Sequence, residues 1–147
     1  MNRHTVAVLV AAAGAVAYAV SKVDLALRGE LGMPGFPAPP EAYEVYDAVG
    51  GQLSNAAMGA AMVLLVLALL RPPSRALWRL PLLIVNGAGA LLIGAGVVTF
   101  AARATGLAPA LGEPAQGAAA WTSLAVGAVW TAAWITAVAT TRAPRRP

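Results

Sequence analysis

Four long stretches of this chain carry no charged side chain, and the charges gather in the termini and connections around them. Thr5 to Val20 is the first, reaching about Leu27 if Lys22 and Asp24 sit at a boundary; Val49–Leu70, Leu80–Ala102 and Ala115–Thr141 follow. A helix needs ~20 apolar residues to cross a hydrocarbon core of about 30 Å, and each run is long enough. The runs are continuous and rich in Ala and Leu instead of alternating, which disfavours strands. Lipid also demands that every backbone polar group be paired within a helix or a closed barrel.

Composition points the same way. Only 11% of residues are charged and 59% are hydrophobic, whereas soluble domains carry roughly a quarter charged residues. So few charges cannot cover a water-facing surface. The expected fold is an all-α membrane protein: a single-domain, antiparallel four-transmembrane-helix bundle with spans of about 5–27, 49–70, 80–102 and 117–141. The expected location is the bacterial cell membrane, crossed several times.

Basic residues of short loops collect on the cytoplasmic side of a membrane. Arg3, Arg71, Arg75, Arg79, Arg142, Arg145 and Arg146 fall in the two termini and the middle turn. Lys22, Arg28 and Arg103 share the other side with all the acids: Asp24, Glu30, Glu41, Glu44, Asp47 and Glu113. Both termini are therefore predicted cytoplasmic, with two Gly/Pro-rich loops facing outward. The first span competes with a signal peptide, because Ala17-Tyr18-Ala19 resembles a cleavage site. The helical pattern continues past that site through Val23, Leu25 and Leu27, which favours a retained span.

The connections are punctuated by proline and glycine. The outer loop 28–48 holds Gly32, Pro34, Gly35, Pro37, Pro39 and Pro40, which predicts extended and turn structure. Glu41–Asp47 resumes a helical turn, and Asp47 suits the start of the second span. Arg71-Pro72-Pro73-Ser74-Arg75 is a tight turn, with Ser74 as the expected cap of a lead-in containing Trp78, Arg79 and Pro81. A basic tail, 143–147, ends the chain.

A sequence pI of about 10.4 invites a nucleic-acid reading, but the arginines form short membrane-flanking groups without a recognition motif. No nucleic-acid partner is expected. With no cysteine and one histidine, His4, thiolate sites, paired-histidine metal sites and catalytic triads are excluded within one chain. No metal or cofactor is expected, and His4 reads as a headgroup-region residue.

Small residues recur every four positions: Gly51, Asn55 and Gly59; Asn86, Ala90 and Gly94; Ser123, Gly127 and Thr131. Such stripes predict helix seams. Trp78 and Trp121 fall near interfaces. Trp130 and Trp134 lie one turn apart and read as packing groups, or as the wall of an apolar lipid or quinone-like pocket. The amides Asn55 and Asn86 each need a hydrogen-bond partner at depth.

One polar cluster could carry chemistry. It comprises Tyr18, Lys22, Asp24, Arg28, Glu30, Glu44, Asp47, Asn55 and Arg103. Tyr18 and Lys22 share a helical face, and Asp24 and Arg28 form an i,i+4 ion pair. Lys22 must reach the interface or pair, with Asp24, Glu44 or Asp47 as partner. In its functional form the cluster is an outward cup: Lys22, Arg28 and Arg103 hold an anionic headgroup and an acid serves as base.

The segment from Ser21 through Lys22, Asp24, Arg28 and Glu30 to Met33-Pro34-Gly35 resembles the loop after the first helix in small four-helix actinobacterial membrane proteins of uncharacterised function. That likeness implies the architecture and supplies no activity. Three function classes follow. The leading one is a non-catalytic accessory subunit, surrounded by membrane lipids and bound to a membrane-protein partner or a second copy. The second is a binding protein or enzyme for a lipophilic substrate at the outer leaflet. The third is a small transporter or channel subunit, weakened by the lack of a mid-span acid.

Overall fold

A computed structural model describes residues 2–112, 114, 115 and 117–141; Glu113 and the tail arginines Arg142, Arg145 and Arg146 lie outside them. The chain is mostly helical. Helix α1 (Arg3–Arg28) leads to a hairpin of two short strands, β1 (Gly32–Met33) and β2 (Phe36–Pro37), and to a one-turn helix α2 (Ala42–Val45). Then come α3 (Ala48–Ala68), α4 (Ala76–Ala104), a 3-10 turn at Pro109–Leu111 and α5 (Ala118–Thr140). The four long helices are each long and apolar enough to cross a membrane.

The helix ends follow their local chemistry. Asn2 caps α1 by accepting from Thr5 N–H at 2.8 Å. At its other end Gly29 takes φ +66, and the N–H groups of Gly29 and Glu30 donate back to Ala26 O and Leu25 O. That left-handed stop suits a residue without Cβ. Asp47 caps α3 through Val49 and Gly50 N–H. Helix α4 departs from expectation. Trp78, Arg79 and Pro81 belong to its own first turns, and Arg75, not Ser74, holds the N-cap position without a side-chain bond. Pro81 removes one intrahelical bond at an exposed position of the helix, so the interruption costs little packing.

Helix α1 lies between α3 and α5, α4 packs on α5, and α3 and α4 meet only sparsely. Position along α3 falls as position along α1 rises. His4 bonds to Leu69, Gly59 sits against Tyr18 and Ala19, and Lys22 and Gln52 share one acceptor. The close approach comes from the small face of α1, where Ala7, Ala11, Gly14 and Ala15 are all buried. Two of the expected stripes form the α4–α5 seam, with Gly94 against Thr131 and Gly127 against Val97. On α3 only Gly59 is a close contact, because Gly51 faces open space.

Two polar devices tie the helices. Trp134 Nε1 donates to Asn86 Oδ1 at 2.9 Å, and Asn86 Nδ2 donates to Leu82 O at 2.9 Å and Leu65 O at 3.2 Å. Every polar atom of that amide is thereby used inside the protein. His4, read from sequence as a headgroup-region residue, forms a clasp between helix ends. Its Nε2 donates to Leu69 O at 3.0 Å and its Nδ1 lies 3.1 Å from Thr140 Oγ1, joining one end each of α1, α3 and α5. Outside these contacts the long helices present large apolar side chains, including Val20, Leu64, Leu91, Leu92, Val98 and Val129. A continuous apolar surface of that kind calls for a partner or lipid.

Asn86→Ala leaves the Trp134 N–H without an acceptor, so we expect a loss of about 1–2 kcal/mol in unfolding free energy. Denaturant titration in mixed micelles checks this, and unchanged stability would show that the amide bridge carries no weight.

Candidate functional site

The site grows from α1. Tyr18 and Lys22 continue the face that carries Ala7, Ala11 and Ala15, because residues four apart stack on one side of a helix. Lys22 is therefore turned into the protein and is only 5% exposed. Its Nζ donates to Gly32 O at 2.6 Å and lies 5.4 Å from the Tyr18 ring centroid. Gln52, 2% exposed, donates through Nε2 to Glu30 O at 3.0 Å and to the same Gly32 O at 3.2 Å. Among the described residues no carboxylate lies within 4.0 Å of Lys22.

That differs from the expected cup. Asp24 stands two residues from Lys22, about 200° round the helix, and pairs with Arg28 on the exposed side. Glu30 and Glu44 are exposed, and Glu30 enters the site only through its backbone carbonyl. Asp47 is spent on capping α3. The sequence cluster thus divides: Tyr18, Lys22 and Asn55 come together, while Asp24, Arg28, Glu30, Glu44 and Asp47 point their charges elsewhere.

Arg103 belongs to the roof. It donates to Pro37 O at 3.3 Å and stacks 5.6 Å from the Phe36 ring centroid. The roof is the hairpin, paired Gly32 to Pro37 and Met33 to Phe36. Its Pro34-Gly35 turn, with φ +79 at Gly35, fits a type II turn. Phe36 is 1% exposed, 5.0 Å from the Phe100 ring centroid, and packs with Ala104 and Ala120. Ser123 Oγ donates to Pro34 O at 3.0 Å. Gly35 lies so close to α5 that a Cβ there would come within 2.3 Å of Ala120 N.

Two adjoining cavities lie beneath and beside this roof. One, of about 390 Å³, is apolar; it runs between α1, α4 and α5, with Trp130, Val97, Gly96 and Leu124 among its walls. The other, of about 430 Å³, is lined by Lys22, Gln52, Asn55 and Tyr46 together with Gly32 and Leu31. Tyr18, Met33 and Phe100 line both, so the two cavities adjoin at these side chains. Among the described residues no acidic side chain lines either cavity. Trp134 lies outside both, stacked on Trp130 at 5.9 Å and 10°. Neither cavity reaches Asn86.

Two polar atoms here are buried without a partner, Gln52 Oε1 and Trp130 Nε1. Sequence reading missed Gln52, Phe36 and Ser123. A signal existed for Gln52, since it lies three residues before Asn55 on one face of a charge-free run. Ser123 was read only as part of a seam. Among the described residues no group of three His, Cys, Asp or Glu could hold a metal ion. No protein-family model, curated protein or solved structure matches the chain.

Gly35→Ala adds a side chain where φ is positive and α5 is in contact, which strains the turn by about 1 kcal/mol before the clash is counted. We expect the amides of 31–38 to lose at least about tenfold protection in hydrogen exchange, with the four long helices unaffected. Protection equal to the natural chain would mean that the roof does not depend on this turn.

Proposed function

We propose that this chain is a multi-pass membrane protein that binds a lipophilic molecule in the groove under the 31–38 hairpin. In this reading the long helices form an antiparallel bundle across the bilayer. The termini and the 71–75 turn lie in the cytoplasm, and the hairpin and Lys22 lie toward the outer leaflet. The apolar girdle and the arginine distribution support the placement. The observation that carries the function is the pair of adjoining cavities, both mostly apolar, the second with Lys22, Gln52 and Asn55 among its walls. Ligand sites have this character: concave, mostly apolar, with a few convergent polar groups.

The competing readings have less support. An accessory subunit with a self-satisfied interface calls for Lys22 on a carboxylate, and Lys22 meets a backbone carbonyl instead. A conducting path calls for a cavity from Asn55 toward Asn86, and neither cavity extends that way. The titratable side chains on the cavity walls are Tyr18, Lys22 and Tyr46, a set suited to holding a ligand. The proposal therefore stops at binding. The resemblance to small actinobacterial four-helix membrane proteins agrees with the architecture proposed.

Two experiments test it. The first fills the apolar cavity. Gly96 lines it, and a Cβ at that position meets nothing within 4 Å, so Gly96→Leu occupies the space without displacing neighbours. Native mass spectrometry from mild detergent should show a co-purified lipophilic adduct on the natural chain, reduced at least about tenfold on G96L. Equal loading of the two proteins would remove the cavity from the argument. The second tests orientation in a chain without natural cysteine. An impermeant maleimide on intact cells should label Glu41→Cys and spare Ser74→Cys; the reverse pattern would invert the topology.

A further inference from the structure

We infer that the ligand is a single-chain amphiphile with an anionic oxygen head, a long-chain carboxylate or phosphate monoester. Its head pairs with Lys22 in the cavity that Lys22, Gln52 and Asn55 line, and its chain passes Tyr18 into the cavity between α1, α4 and α5. This deepens the proposed function and rests on it.

Charge at Lys22 calls for an anion. An ammonium has three N–H donors, and among the described residues Lys22 spends one on Gly32 O and faces no carboxylate. A buried cation without a counter-charge is costly, and an anion beside it relieves most of that cost. The surroundings leave that role open. Gly32 O already accepts from both Lys22 and Gln52, and the described residues lining the Lys22 cavity include Asn55 and the phenols Tyr18 and Tyr46 but no acid. All of these can donate to an anionic oxygen. Gln52 adds a buried acceptor, Oε1, without a donor, where a protonated phosphate oxygen or a water carried by the head would sit.

The shape of the two cavities calls for a chain. The apolar cavity of about 390 Å³ holds roughly a dozen methylenes if each takes about the 30 Å³ that a water claims in the liquid. That is room enough for one alkyl chain. The cavities meet only where Tyr18, Met33 and Phe100 line both, so head and chain occupy separate rooms of one ligand. A neutral oil would leave Lys22 unanswered, and a bare anion would leave the apolar room empty.

The test compares dodecanoate, dodecyl phosphate and methyl dodecanoate on the full-length protein, with affinities read by native mass spectrometry in a detergent whose own chain is short. We expect both anions to bind at least tenfold tighter than the ester. Lys22→Met should erase the preference by weakening the anions while leaving the ester, and Lys22→Arg should keep it. Acetate or inorganic phosphate at the same concentration should displace neither anion, which separates a lipid head from a free ion. Ester and anions binding alike to the natural chain would overturn this inference and leave the proposed function standing. Binding of none of the three would overturn both. A preference that survives in Lys22→Met would remove Lys22 as the anion's partner, and displacement by acetate or phosphate alone would remove the chain from the recognition.

Discussion

Position 14 has no side chain, and the arrangement of the helices depends on that. A Cβ there would lie 2.4 Å from the Trp130 ring, so only glycine lets the indole rest on the backbone of α1. Trp130 in turn stacks on Trp134, Trp134 donates to Asn86, and Asn86 donates to Leu65 O. That series of contacts crosses α1, α5, α4 and α3 in order. It mixes close backbone approach, ring stacking and hydrogen bonds, the forces that remain when apolar burial alone cannot hold helices together. Aromatic pairs and buried amide bonds are each worth on the order of 1 kcal/mol, so the series acts through its continuity more than through any one member.

Much of this was legible in the chain, for reasons that differ by residue. The long helices follow from uninterrupted apolar runs, and Asp47 at the start of α3 follows from the preference of a helix N-terminus for a side-chain acceptor. The Asp24–Arg28 pair follows from spacing alone. Lys22 was harder, because its charge suggested an acidic partner. Its position was nonetheless encoded: Ala7, Ala11, Ala15, Tyr18 and Lys22 make one stripe, and a charge at the end of a small-residue stripe points where the stripe points. Asp24, nearest in sequence, is nearly opposite in space.

The hairpin was out of reach for another reason. Strands of two residues carry no periodicity, and the Gly/Pro content of 28–48 predicts turns without saying where they dock. The docking is tertiary, through Ser123 on Pro34 O, Ala120 against Gly35 and Phe100 beside Phe36. His4 illustrates the same limit. A lone histidine before a span reads as surface, and only the folded chain brings Leu69 and Thr140 to it.

The location of the groove follows from where the helices are tied and where they are not. The Asn86 bridge and the His4 clasp fasten the helices toward the N-terminal end of α1. Toward Lys22, α4 is held by α5 and by the hairpin, and α1 and α4 face one another across the apolar cavity. On α4, Gly89 and Gly94 are pressed by Trp134 and Thr131, while Gly87 and Gly96 meet nothing, and of these two Gly96 lines the apolar cavity. A helix interior loses roughly 1 kcal/mol by having glycine in place of alanine, and at Gly96 no packing contact offsets that loss. The missing side chain at Gly96 leaves that length of the cavity wall open.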